Sequence, residues 1–137
     1  MLSLCALTVL GLDPFAWPTY DAAALVDVAC ADSRECRTIV PVLWYMETRL
    51  QTYPKCGRSG CGPLQVLPSK YVRGFRLTDA VDGLRAGWHV WTLKRARARD
   101  VRQGFEFYNG SQNRVRYSAR AHGLWRRVMA VCGEAVT

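Results

Sequence analysis

Glu47 is the residue whose surroundings most directly suggest chemistry. It lies in RTIVPVLWYMETRLQ, residues 37–51, where Ile39, Leu43, Met46 and Leu50 recur at three- and four-residue steps. That spacing predicts a helix with one apolar stripe. Val40, Leu43 and Trp44 neighbour Glu47 along this helix. Apolar neighbours desolvate a carboxyl, disfavour its charged form and raise its pKa. A glutamic acid still protonated near neutral pH can donate a proton to a glycosidic oxygen. By itself the position is weak evidence, because a glutamate late in an amphipathic helix is ordinarily a solvated flank residue. The histidines, His89 and His122, stand far apart with no metal-like spacing, so no metal or cofactor is expected.

The elements that must position Glu47 can be read along the chain. Residues 1–12 form an apolar run too short to span a bilayer. The run resembles the core of a signal peptide, but it has no preceding Lys or Arg and no clean cleavage site. It is therefore expected as an N-terminal arm or leader-like segment over 1–20, or a first core helix, ahead of a domain at 21–133. Pro14 and Pro18 break the chain. A helix over 21–30 follows, then a polar loop over 31–36. In the helix carrying Glu47, Pro41 is read as an early position, where a missing N–H is tolerated, and Tyr53-Pro54 as the stop.

Residues 55–63, KCGRSGCGP, read as a constrained loop and not as strand or helix. Thr78 is the expected cap of a long helix with Asp79 in its first turn and Val81, Leu84, Trp88 and Trp91 on its buried face. Lys94 to Arg99 gives that helix the basic C-terminal end its dipole favours. A short helix over 101–107 runs into the turn Tyr108-Asn109-Gly110. A last helix over 115–131 carries a stripe of Tyr117, Ala121, Leu124, Val128 and Val131, with Gly133 as its C-cap. No period-2 strand and no internal repeat is visible, so the expected fold is mostly α.

Several of these pieces form an ordered set. After Glu47-Thr48 comes a Gly-rich loop, then Gly62-Pro63-Leu64-Gln65-Val66. Next are Leu77-x-Asp79-Ala80 with Gly87 further on, then Tyr108-Asn109-Gly110, then a terminal helix beginning near Tyr117. The order resembles the soluble lytic transglycosylase domain family, which is related to goose-type lysozymes, and the resemblance covers about residues 21–131. That family has a Glu-Ser at a helix end, a Gly-Leu-Met-Gln-Val segment, a Leu-x-Asp-Pro helix start with a later Gly, and a Tyr-Asn-x-Gly turn. Here Thr48 replaces the serine and keeps its hydroxyl, Pro63 and Leu64 replace Leu-Met, and Ala80 replaces the proline. These departures bear on substrate preference more than on the role of Glu47.

The resemblance implies a lysozyme-like single domain. It implies cleavage of the β-1,4 bond between N-acetylmuramic acid and N-acetylglucosamine in peptidoglycan. One glutamic acid, Glu47, would protonate the leaving oxygen and then act as base on the muramic C6 hydroxyl, closing a 1,6-anhydro ring. No second carboxylate is then required, unlike the usual two-carboxylate glycosidases. Asp79, Asp82 and Glu106 are the carboxylates that would permit hydrolysis instead. Gln65 would contact a sugar acetamido group or frame the cleft, Tyr108 would reach the Glu47 carboxyl or the sugar, and Thr48, Gly62 and Asn109 complete the expected substrate site. The plain alternatives are a polar loop residue for Gln65, a core tyrosine for Tyr108 and a turn for Asn109. Trp44, Trp88, Trp91 and Trp125 are core candidates.

Composition narrows the class. The chain has 137 residues, 50% of them hydrophobic and 22% charged, enough for one domain with its own core. The net charge of +8 comes mostly from arginine, and a basic domain seeks a polyanion. The arginine-rich stretches over 94–102 and 114–127 suit an anionic wall polymer, and no recognised motif supports specific nucleic-acid binding. Six cysteines suggest an oxidising compartment, with Cys30–Cys36 and Cys56–Cys61 as local pairs. Buried free thiols or a zinc site are the other readings. An extracytoplasmic or phage-virion location is expected, with glycan strands and virion or envelope-machine proteins as partners and no transmembrane segment. A non-catalytic structural or binding component is the competing class.

Overall fold

The computed structural model describes residues 2–11, 19–52, 55–58 and 60–133. The expected breaks at Pro14 and Pro18 and the stop at Tyr53-Pro54 lie outside them. The fold is mostly α. Among the described residues it has six helices: α1 (Leu2–Val9), α2 (Thr19–Cys30), α3 (Arg34–Thr48), α4 (Ala80–Ala96), α5 (Val101–Asn109) and α6 (Arg114–Cys132). A two-stranded antiparallel ladder joins β1 (Cys56–Gly57) to β2 (Gly60–Cys61). Among the described residues no helix is long and apolar enough to cross a membrane.

α3 is the centre of the packing and touches α1, α2, α4 and α6. Ile39, Val40, Val42, Leu43 and Trp44 are all fully buried, so its middle is apolar on every side. A helix surrounded in this way draws its stability from burial more than from its own propensity. It starts earlier than its apolar stripe suggests, because the Ser33 side chain accepts the Cys36 N–H at 3.1 Å and caps a turn that the composition alone presents as loop. Pro41 consequently falls inside the helix and not in its first turn. The lost backbone hydrogen bond there is offset by a fully packed site.

The same helix stops at Thr48 and not at 51. Arg49 and Leu50 both take left-handed backbone (φ 54° and 65°), and their N–H groups return to Tyr45 O and Trp44 O. Non-glycine residues adopt that region at a cost. Burial of Leu50 and the Trp44 Nε1–H bond to Gln51 O at 2.6 Å hold the chain there.

α1 is a core helix: Leu2, Ala6 and Leu7 are buried against α2, α3 and α6. Its Ser3 hydroxyl donates to Asp27 of α2 at 2.6 Å, and Arg37 of α3 lies 3.6 Å from the same carboxylate oxygen. Three disulfides close the molecule: Cys30–Cys36 and Cys56–Cys61 as the local pairs, and Cys5–Cys132 between the first and last helices. The described cysteines are all oxidised, which leaves neither free thiols nor thiolate zinc ligands among them.

Smaller corrections follow from cap geometry. Asp79, not Thr78, caps α4, its carboxylate accepting the Asp82 N–H at 3.0 Å. Gly133 is the C-cap of α6 as expected, with ordinary helical φ and its N–H on Met129 O. Val131, expected in the buried stripe, is 60% exposed.

Candidate active site

The segment between α3 and α4 is folded back beside the C-terminal end of α3 by a series of close fits. Cys61 pairs with Cys56 on one side; on the other its N–H donates to Val66 O at 2.9 Å and the Val66 N–H donates back to Cys61 O at 3.0 Å. Between them Gly62-Pro63-Leu64-Gln65 makes a tight turn in which Gly62 O accepts both the Gln65 N–H and the Gln65 side-chain amide, the latter at 2.8 Å. The short ladder corrects the expectation of plain loop over 55–63. Two strand residues on each side are too few to show an alternating pattern, and the cross-strand disulfide holds them.

This turn is seated on α4 by two glycines. Leu64 packs against the bare face of Gly87, and Pro63 against Gly83, where an added Cβ would come within 2.6 Å of the proline Cδ. Gly62 itself takes φ 71° and lies directly under Leu77 O, so a side chain fits neither its conformation nor its surroundings. Gly62 is buried, and its contribution to the site is the shape of the turn.

Thr48 ties the turn to α3. Its hydroxyl lies 2.9 Å from Pro63 O, 2.9 Å from Gln51 O and 3.4 Å from Trp44 O. One hydroxyl proton serves these carbonyls, so the residue next to Glu47 is the fastener of the neighbouring turn. Tyr108, from α5, donates its hydroxyl to Leu64 O at 2.9 Å and secures the same turn from the other side.

Glu47 is half-buried in the last turn of α3, next to the Thr48 that fastens this turn. Burial among apolar groups raises its pKa from 4.5 to about 7, against a smaller opposing effect from a hydrogen bond given by Tyr117. Tyr117, in the first turn of α6, places its hydroxyl 2.8 Å from Glu47 Oε1. Burial, together with the Glu47 charge, pushes the phenols of Tyr108 and Tyr117 well above their ordinary value, so both remain donors throughout the neutral range.

The structure therefore brings Glu47, Thr48, Gly62, Gln65 and Tyr108 into one locality. It assigns the direct hold on the carboxyl to Tyr117 and not to Tyr108. Asn109 follows Tyr108 at the end of α5, but its side-chain oxygen accepts from the Ser111 N–H at 3.1 Å and from the Ser111 hydroxyl, closing the turn. Gly110, at φ 65°, caps α5. Tyr117 was legible only as a stripe residue of the terminal helix. The available signal was chemical: a tyrosine on a buried stripe needs an acceptor for its hydroxyl.

The other carboxylates considered for the reaction are engaged elsewhere. Asp79 caps α4, Asp82 lies 3.7 Å from Arg85 and accepts the Arg76 N–H, and Glu106 lies 3.6 Å from Arg114. The site can thus supply one acid whose protonation is balanced near neutrality, beside a fixed hydroxyl that stabilises its ionised form. No protein-family model, curated protein or solved structure matches the chain.

Proposed function

We propose that this protein is a peptidoglycan-cleaving enzyme of the lytic transglycosylase and goose-type lysozyme kind, built as a lysozyme-like domain, in which Glu47 is the single acid and base. The observation that carries the proposal is a half-buried glutamic acid with a pKa of about 7, held at 2.8 Å by the Tyr117 hydroxyl. The resemblance of the ordered motifs supplies the substrate.

In this reading protonated Glu47 gives its proton to the oxygen joining N-acetylmuramic acid to N-acetylglucosamine. The carbon–oxygen bond breaks, and positive charge develops at the muramic C1. The new carboxylate is stabilised by the Tyr117 hydroxyl. It then takes the proton of the muramic C6 hydroxyl as O6 bonds to C1. The 1,6-anhydro ring closes, no water is consumed, and Glu47 ends protonated as it began. A pKa near the operating pH suits a group that must both give and take a proton. Gln65 would meet the sugar, and Thr48, Tyr108 and the 62–65 turn would set the wall behind it, while Asn109 shapes the neighbouring turn.

The engagement of Asp79, Asp82 and Glu106 elsewhere favours ring closure over a second-carboxylate hydrolysis. Three disulfides accord with an extracytoplasmic place of action, reached by export or inside a phage particle, and the net charge of +8 with an anionic wall.

The test is mass spectrometry of the soluble products from isolated peptidoglycan, with wild type and Glu47→Gln in parallel. Anhydro-muropeptides from the wild type alone are expected. Reducing-end products, heavier by one water, would replace transglycosylation with hydrolysis. No products from either protein would turn the assignment to a non-catalytic wall or virion component.

A further inference from the structure

Beside the Tyr108-Asn109-Gly110 turn is a concavity of about 170 Å³, lined by Lys94, Arg97, Glu106, Phe107, Gly110 and Arg114. It lies where the C-terminal ends of α4 and α5 meet the start of α6. Lys94 comes from the last turn of α4, Arg97 from its C-cap, and Arg114 is the first residue of α6. Phe107 supplies an apolar wall one residue before the tyrosine that braces the candidate active site.

Helix electrostatics account for part of this cluster only. Cations at the end of α4 complement its dipole, but Arg114 stands at the N-terminal end of α6, where a positive charge is unfavourable. Glu106 Oε1 lies 3.6 Å from Arg114 Nε and neutralises one cation of the three. The pocket therefore keeps an excess of positive charge in a concave space with an aromatic wall. Guanidinium groups present forked N–H donors suited to oxyanions, and Lys94 adds a point charge. The volume equals several waters at about 30 Å³ each, which is room for one anionic group and a short stem.

We propose that this pocket binds an anionic group, a carboxylate or phosphate, borne by the polymer on which the enzyme acts. The pocket's preference for an anion stands without the catalytic reading; its placement of that anion on a wall polymer rests on it. Bound there, the acidic substituent anchors the polymer beside the Tyr108-Asn109-Gly110 turn while the glycan enters from the Glu47 side. The residual charge on Arg114, Arg97 and Lys94 then has a partner.

The test is a binding titration of the full chain followed by backbone amide NMR, with inorganic phosphate and muramyl dipeptide as separate probes. It is run on wild type and on Glu47→Gln, so that loss of catalysis and loss of anion binding are read independently. Saturable shifts at Phe107 and Gly110 are expected in both proteins. Arg114→Gln, and separately Lys94→Gln with Arg97→Gln, should weaken the affinity about tenfold or more, as loss of charge-assisted contacts does. Lys70→Gln, at an exposed site on another element, should leave it unchanged. Saturation by phosphate alone assigns the site to a phosphate-bearing polymer, and by the dipeptide alone to a stem carboxylate; either supports the pocket. Shifts that never saturate, that spread evenly over the exposed arginines, or that survive all the pocket substitutions would overturn it.

Discussion

Replacing Tyr117 by phenylalanine isolates the contact that distinguishes Glu47 from an ordinary buried carboxyl. The hydroxyl lies 2.8 Å from Oε1 and favours the ionised form, opposing the larger effect of burial. A hydrogen bond to a charged group is worth about 1.5–3 kcal/mol. At about 1.4 kcal/mol per pK unit, its loss should raise the Glu47 midpoint from about 7 by roughly one to two units. The wild-type acid is half protonated near pH 7, and activity that depends on its proton should fall as the pH rises past that point. In Tyr117→Phe the alkaline limb of kcat/KM for wall cleavage should move upward by the same interval, with a lower maximum because the carboxylate formed after proton donation has lost its donor. A carbon-13 titration of the Glu47 carboxyl reports the same midpoint without turnover. A merely structural tyrosine would alter the amplitude and leave the midpoint in place. An unmoved or lowered midpoint would refute the assignment of Tyr117 as the group that holds the acid.

Other outcomes follow from the same geometry. Glu47→Gln should stabilise the fold at alkaline pH. The native pKa is raised above the unfolded one, so the stability it contributes is fully present below about pH 4.5 and is lost as the pH rises through about 7. The gap between wild type and variant in thermal melts should therefore open across that window and reach at most about 3 kcal/mol. Gly87→Ala should drive Leu64 off α4, costing about 1–3 kcal/mol by chemical denaturation and reducing cleavage through displacement of the 62–65 turn. Cys5→Ser with Cys132→Ser should lower stability by about 3–5 kcal/mol, the expectation for opening a long loop, and expose α1 to hydrogen exchange. Thr48→Val keeps the volume but removes the tether to Pro63 O; it should lower kcat more than stability, and an unchanged kcat would dissociate the turn from catalysis.

Much of this architecture is local and therefore readable in order along the chain. Apolar residues at helical spacing mark α3, α4 and α6, and the Tyr-Asn-Gly sequence marks the end of α5. Glu47 stands out because apolar residues one turn away on its own helix suggest burial, and burial does raise its pKa. What stays hidden depends on partners distant in sequence. Tyr117 meets Glu47 across 70 positions, and Tyr108 reaches Leu64 across 44, so neither pairing leaves a local periodic trace. Cys5–Cys132 leaves no local trace either, being only the pair that remains once the two short bridges form. Pro41 misleads for a different reason: an interior proline normally ends a helix, but here complete burial of α3 outweighs the missing bond. Glycines at 83 and 87 weaken a helix on propensity alone, but here Pro63 and Leu64 occupy the space they leave.

The arrangement also explains why the acid sits where it does. An ionised carboxyl in an apolar enclosure works against the folded state, and the fold would relax by turning Glu47 outward unless the local backbone were fixed. Two consecutive left-handed residues after Thr48 end α3 within one turn of the acid, and Trp44, through its bond to Gln51 O, holds that ending closed. The turn facing it is secured by a disulfide, by the Thr48 hydroxyl and by Tyr108. Each tie is unnecessary for a solvated glutamate and helps keep this carboxyl half-buried, where its pKa is about 7. Loosening any of them should lower the Glu47 midpoint toward that of a hydrated carboxyl, the opposite direction from Tyr117→Phe. A Thr48→Val midpoint that falls while the Tyr117→Phe midpoint rises would therefore separate enclosure from direct hydrogen bonding as the two controls on one acid.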